Sequence, residues 1–302
     1  MDELDVRSRS SSSIESSPRT NYRIGAAVRA PVRRERHGII WYAFESLGQP
    51  GEVVAVVSTR HGGVSAGSLG SLNLSYAIGD DPERVRENRR RFAGAIGVEP
   101  SAVVCAAQVH GNRVASVDEN SAGAGFDDRE TAVPDVDGLV TDRPGLALWL
   151  GFADCVPILA YDPARPAVGI AHAGWRGTLA GVATELVSTM VRRFGTQPAD
   201  LRVAIGPSIG PCCYTVGSDL VATFDRGCDA SEDLFSIGAD GRQRLDLWEA
   251  NRRLLLRAGV AAERISSTDL CTACRASEFF SHRAQNGRAG RIAAVIALRN
   301  GG

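Results

Sequence analysis

A chain of 302 residues that is 44% hydrophobic is long enough for one large domain or two modest ones around a substantial core. Its net charge of −1 argues against a dedicated nucleic-acid surface, and all 34 basic residues are Arg, so no lysine is present for Schiff-base, P-loop or Ser-Lys chemistry. No apolar run approaches the roughly 20 residues that span a bilayer, and the N-terminus lacks the apolar segment of a secretory signal. The seven cysteines then imply reduced thiols in a cytoplasmic protein.

In chain order, residues 1–36 are rich in Ser and Arg without periodicity, which predicts a disordered tail ahead of a domain over 37–302. Val53–Ser58 is a β-branched run expected to be a buried strand. It ends in the glycine loop Thr59-Arg60-His61-Gly62-Gly63-Val64-Ser65, followed by Ser71-Leu72-Asn73-Leu74. Asp81-Pro82-Glu83 marks a helix start, with Val85, Asn88, Phe92 and Ile96 on one face. Strands are expected over 103–109, 146–150, 156–161 and 168–172. A second amphipathic helix should begin near Gly177, with Leu179, Val182, Leu186, Val187 and Met190 at helical spacing. A strand over 201–205 runs into Gly206-Pro207-Ser208-Ile209-Gly210-Pro211-Cys212-Cys213. A helix over 247–256 precedes Cys271-Thr272-Ala273-Cys274, and Ile292–Leu298 closes the chain as a strand. The alternation without linker or repeat predicts one α/β domain with a mixed sheet.

Three separated segments carry the chemistry: Gln108-Val109-His110-Gly111, Ala153-Asp154-Cys155 and His172-Ala173-Gly174-Trp175-Arg176-Gly177. They offer two imidazoles and a thiol, a donor set suited to a transition metal with one position open. Catalytic zinc has three protein ligands plus water, whereas structural zinc is closed by four. The residue types alone leave other roles open. His110 can be a loop residue and His172 a satisfied core histidine; Cys155 can be a small core residue or, beside a His, a nucleophile. Cys271 and Cys274 look like half a zinc ribbon or a redox pair, but Cys212-Cys213 has the wrong spacing for a second chelating arm. Cys271 is therefore expected to be a loop residue, Cys274 incidental, and Cys105 and Cys228 core. His61 and His282 lie in loops where they could line a pocket.

The motifs TRHGGVS, SLNL, QVHG, DGLVTD, ADCVPIL, AHAGWRG, IGPSIGPCCY and the late FFSHR and GRAGR resemble the laccase-domain family, also called YfiH-type or multicopper polyphenol oxidase-like, over residues 40–298. The resemblance implies a single α/β domain, with a central mixed sheet flanked by helices, of the YfiH-like (cytotoxic necrotizing factor-like cysteine hydrolase) fold. It also implies a zinc site at His110, Cys155 and His172. Members have been named purine nucleoside phosphorylases with adenosine deaminase and methylthioadenosine phosphorylase activity, polyphenol oxidases and peptidoglycan editing factors.

Each of these activities makes a different demand. Zinc brings bound water toward ionisation, and deamination adds a proton shuttle, for which Asp154 is the candidate. Phosphorolysis needs a cationic cradle, for which Arg60 and Arg176 in the two glycine loops are the candidates, with Arg283 and Arg288 behind them. Asn73 and Gln108 could hydrogen-bond ribose or base. Copper can enter such a site, but five histidines are too few for a blue-copper centre plus a trinuclear cluster. The expectation is a zinc-dependent purine nucleoside phosphorylase with adenosine deaminase activity, acting on purine nucleosides and phosphate. It should bind no nucleic acid or membrane and exist as a monomer or small homo-oligomer. The alternatives are a peptidoglycan-precursor amidase, a copper-loaded polyphenol oxidase and a non-catalytic regulator that binds metal or nucleoside.

Overall fold

Fourteen strands and five α-helices are described in a computed structural model covering residues 30–227 and 231–299. In chain order these are β1 (Val32–Arg36), β2 (Ile39–Ala43), β3 (Val53–Ser58), α1 (Pro82–Ile96), β4 (Val103–Cys105), β5 (Val114–Ser116), β6 (Gly138–Thr141), β7 (Ala147–Phe152), β8 (Val156–Asp162), β9 (Ala167–Ala173), α2 (Trp175–Leu179) and α3 (Val182–Phe194). There follow β10 (Arg202–Ile205), α4 (Ser218–Gly227), β11 (Phe235–Ile237), β12 (Gln243–Leu245), α5 (Leu247–Arg257), β13 (Ile265–Ser267) and β14 (Ile292–Leu298). No helix among the described residues is long and apolar enough to cross a membrane.

The fold is mixed α/β, as expected, with its main strands divided between two six-stranded sheets rather than gathered in one. One sheet has the order β1-β2-β3-β14-β7-β4, the other β13-β10-β8-β9-β6-β5. Both mix antiparallel pairs with parallel ones at the edges, β4 beside β7, β5 beside β6 and β13 beside β10. The sheets bury one face against each other and the opposite face under helices. Ala55, Val57, Leu148, Leu150, Ile292 and Ile296 meet Leu159, Val168 and Ile170 between the sheets. Val54, Val56, Trp149 and Val295 turn outward against Phe92 and Ile96 of α1. Ile158, Ala171 and Val203 turn outward against Leu186, Met190 and Leu255 of α3 and α5. Strands covered on both faces read as continuous apolar runs, which is why β3, β8 and β14 were legible.

Several boundaries differ from expectation. Residues 1–29, like Cys228, lie outside the described residues, but Val32–Arg36 is not tail. It pairs antiparallel with β2 from Arg36↔Ile39 to Val32↔Ala43. His37 (φ 52°) and Gly38 (φ 78°) make the two-residue turn. The strand was hidden by its charge, a usual composition for an exposed edge. The strand expected over 103–109 stops at Cys105. The helix expected from Gly177 is two helices, interrupted at Gly181, whose φ of 80° an L residue rarely adopts. Helix α1 begins as expected, with the Asp81 carboxylate accepting from the Glu83 amide, a cap worth about 1 kcal/mol.

Candidate functional site

Register brings the chemistry together. Because β8 and β6 both run antiparallel to β9, the starts of β8 and β6 lie beside the end of β9, with Val156 opposite Ala173 and Gly138 opposite Ala171. Strand β5 is parallel to β6, so its start joins the same edge. Cys155 precedes β8, His172 is the penultimate residue of β9, Asp137 precedes β6, and His110 stands in the turn leading to β5. The corresponding edge of the other sheet carries the ends of β4 and β7 and the start of β14. Ala153-Asp154-Cys155 crosses from β7 to β8, from one sheet to the other.

The donor atoms of His110, Cys155 and His172 all lie within 4.8 Å of one another, the convergence the sequence could only suppose. The two imidazoles meet edge to face with centroids 4.9 Å apart. Gly174 permits this closeness: a Cβ there would sit 3.0 Å from the Cys155 Sγ and 3.3 Å from the His110 ring. His110 adopts φ 62°, a left-handed turn that aims its ring back at the edge.

Asp137, to which the sequence reading gave no role, holds this geometry. Fully buried, its carboxylate accepts from the amides of Val109 at 3.2 Å, His110 at 3.0 Å and Gly111 at 2.6 Å, and from His172 Nδ1 at 2.9 Å. Burial alone would raise the Asp137 carboxyl, but the His172 and amide donors hold it below its ordinary value. Engaging Nδ1 leaves His172 Nε2 for the site, an arrangement typical of histidines that bind metals. The only sequence signal was the quoted motif DGLVTD, of which Asp137 is the first letter.

Burial also opposes ionisation of Cys155, yet the charge on His172 and hydrogen bonds from His110 and His172 bring the thiol down to about 6. In turn the Cys155 thiolate and the Asp137 hydrogen bond outweigh burial and push His172 up to about 9. A thiolate facing two imidazoles is a prepared ligand set, since a metal needs the thiol deprotonated and can displace the imidazole protons. The three donors therefore fit a metal ion, and all three residues line one cavity.

That cavity measures about 800 Å³, and its wall includes His110, Cys155 and His172 together with Tyr76, Arg89 and Trp149. Four arginines line it, Arg89, Arg129, Arg283 and Arg291, against two carboxylates, Asp135 and Asp154. Arg291 Nη1 donates to the carbonyls of Ala289 and Gly290, and among the described residues its other side-chain nitrogens make no hydrogen bond and no ion pair, although the charges on Cys155 and Asp154 act on it. Arg89, 7% exposed, spends Nε and Nη1 on the carbonyls of Leu74, Gly125 and Phe126, which leaves Nη2 free among the described residues. Burial, with the charges on Cys155 and Asp154, pushes the Tyr214 phenol up to about 12 against the pull of Arg283 and Arg176, so it stays a donor.

The residues expected at the site divide accordingly. Gln108 lines the cavity but gives both ends of its amide to the Gly151 backbone, at 2.9 and 3.0 Å. Asp154 lines it with both carboxylate oxygens engaged, by the Thr272 hydroxyl and the Arg283 amide, each at 2.7 Å. Arg283 and His282 line it; His61 and Arg288 do not. Arg60 is a correction: it is not in the wall, and its guanidinium donates to the Gly70 and Ala276 carbonyls over the Phe280 ring. Asn73 is also outside the wall; it is fully buried and spends its amide on Ser75, Asp80 and the Arg291 backbone. Arg176 is exposed and stacks 4.4 Å over Trp175, outside the wall. Glycine loops need polar side chains to close their own carbonyls, which a loop position in a sequence cannot distinguish from ligand binding. Arg89, Arg291 and Tyr214 were missed. Arg291 and Tyr214 stand at the ends of the quoted GRAGR and IGPSIGPCCY, and Arg89 lies on α1 with no motif to mark it.

Residues 54–299 match the family described as multi-copper polyphenol oxidoreductase laccase. The chain belongs to that family. Among relatives of this laccase family, the purine nucleoside phosphorylase YlmD of Geobacillus stearothermophilus is 44% identical, over 82% of this chain and 90% of its own. The adenosine deaminase RL5, from an unknown prokaryotic organism, is 36% identical over 80% of this chain and 92% of its own. The crystal structure of YlmD from Geobacillus stearothermophilus superposes with a TM-score of 0.83 at 42% identity, covering 88% of this chain and 98% of that one.

Proposed function

We propose that this laccase-family chain is a purine nucleoside phosphorylase with adenosine deaminase activity, working with a zinc ion at His110, Cys155 and His172. The names of its relatives support the activity. The observation that carries it to this cavity is the three-donor group sharing its wall with four arginines, none of which forms an ion pair among the described residues. Phosphorolysis brings an anion to a neutral nucleoside. A phosphate oxygen bonds C1′ as the bond from C1′ to the base breaks; the base leaves with that electron pair and takes up a proton. Arg291 and Arg89 present unpaired N–H groups to the phosphate, with Arg283 at the rim. Tyr214, neutral at physiological pH, donates its O–H to a substrate oxygen or to the departing base. Zinc at the three donors supplies Lewis acidity. With both oxygens of Asp154 engaged, we assign it to positioning the 153–155 crossing rather than to shuttling a proton.

The test is phosphate dependence. Inosine or adenosine should yield free base and ribose 1-phosphate only when phosphate is supplied. Base release without phosphate overturns the proposal. The lowered Cys155 thiol beside His172 favours one second reading, a Cys-His amidase acting on a peptidoglycan precursor. Chelation separates the two, because a thiolate hydrolase keeps its activity when metal is removed. A multicopper centre draws no support here, because the two ligand groups found among the described residues contain only two histidines.

A further inference from the structure

A second convergence of donors lies outside the cavity, where the sequence led us to expect none. Strands β10 and β13 are parallel neighbours, so the loops that follow them leave the same edge. They stay together: Ser208 bridges Cys271, the Ser208 amide donates to the Leu270 carbonyl at 3.2 Å, and the Thr272 amide donates to the Ser208 carbonyl at 3.0 Å. Just beyond, the turn Gly210-Pro211-Cys212-Cys213 faces the turn Cys271-Thr272-Ala273-Cys274. The sulfurs of Cys212, Cys213, Cys271 and Cys274 all fall within 4.8 Å of one another. Spacing along the chain was the wrong criterion for the Cys212-Cys213 pair, because a tight turn lets adjacent residues reach one centre.

We infer that these four cysteines form a closed, structural zinc site, separate from the three-donor group of the cavity. The argument is independent of the proposed activity. Zinc–sulfur bonds of about 2.3 Å place tetrahedral sulfurs roughly 3.8 Å apart. Here Cys274 Sγ lies 3.4 Å from Cys212 and 3.3 Å from Cys213, far beyond a bond and close to that edge length. The Cys271 Sγ accepts from the Gly210 amide at 3.3 Å and from the Cys274 amide at 3.5 Å. Amides directed at a sulfur, here one from the opposing turn and one three residues on along the chain, stabilise the thiolate that a metal requires. Four soft thiolates and no open position select zinc for structure rather than catalysis. Cys212 and Cys274 are exposed, which provides the route of entry.

The site would clamp the turn that supports the cavity. Thr272, between two of the four cysteines, gives its hydroxyl to Asp154, whose carbonyl accepts from the Ile209 amide at 2.9 Å on the opposing loop. Both loops touch the residue that precedes Cys155.

Metal content of the full chain decides the matter. The Cys155→Ala protein keeps all four cysteines and should retain about one equivalent of zinc per chain. Replacement by cobalt should give that variant the strong charge-transfer absorption of a tetrahedral thiolate centre, and chelation should lower its thermal midpoint. Adding Cys212→Ser and Cys274→Ser to Cys155→Ala should remove the remaining equivalent. A Cys155→Ala protein that binds no zinc or cobalt when its thiols are reduced overturns the inference. So does a non-reducing intact mass showing the four cysteines paired as disulfides in freshly purified protein.

Discussion

The His110–Cys155–His172 group and the four-cysteine cluster stand on either side of Asp154, and each is assembled from segments far apart in the chain. Their surroundings differ in every respect that matters to a metal. The first has three donors, one of them a His fixed by the buried Asp137, and faces a cavity of about 800 Å³. The second has four donors of one kind, held by two turns near the surface, and none of its members lines the cavity. An open position beside a cavity can do chemistry; a closed shell can only tie loops together. Donor number and access, not the presence of cysteine, separate the two roles.

The comparison breaks most sharply at the ligands. His110→Ala or Cys155→Ala should cut phosphorolysis by roughly 10³-fold or more while the fold survives, whereas Cys274→Ser should lower the thermal midpoint with a much smaller loss of turnover. Equal activity losses, measured in parallel, would erase the distinction. Asp137→Asn should weaken metal binding or activity by roughly 10–100-fold, read from zinc retention against a competing chelator. Arg291→Ala should raise the KM for phosphate by about tenfold, as expected on losing a charged donor. Arg60→Ala should leave that KM alone and cost roughly 1–3 kcal/mol of stability, because the carbonyls it satisfies lose their partner.

The smallest effect is a pH shift. A thiol held at about 6 remains a thiolate at neutral pH and is lost as pH falls through that value. Alkylation of Cys155 in the metal-free protein should therefore decline with a midpoint near 6, and zinc affinity should weaken below it. A midpoint near the ordinary thiol value would remove His172 from its assigned part.

Much of this was legible beforehand because its signal is local. Strands buried on both faces announce themselves as apolar runs, and α1 carries both its cap and its stripe. The three donors that converge were legible for a different reason: ADC, QVHG and HAGWRG each pair a donor with the turn that presents it. Arg60 and Asn73 were misplaced because loop-closing and ligand-binding side chains share the same composition. Arg89 and Arg291 escaped notice because an unpaired guanidinium is defined by which carbonyls and carboxylates fail to reach it, and that depends on distant chain.

The sequence by itself determined the family, the α/β character and the identity of three donors, since each is written in short stretches of side-chain type and spacing. Only the tertiary structure decided that there are two sheets rather than one and that Asp137 supports His172. It also decided which arginines face the cavity and that four cysteines meet. Each of these follows from strand register, which sets residues side by side that are tens of positions apart, and no local pattern of residues records that register.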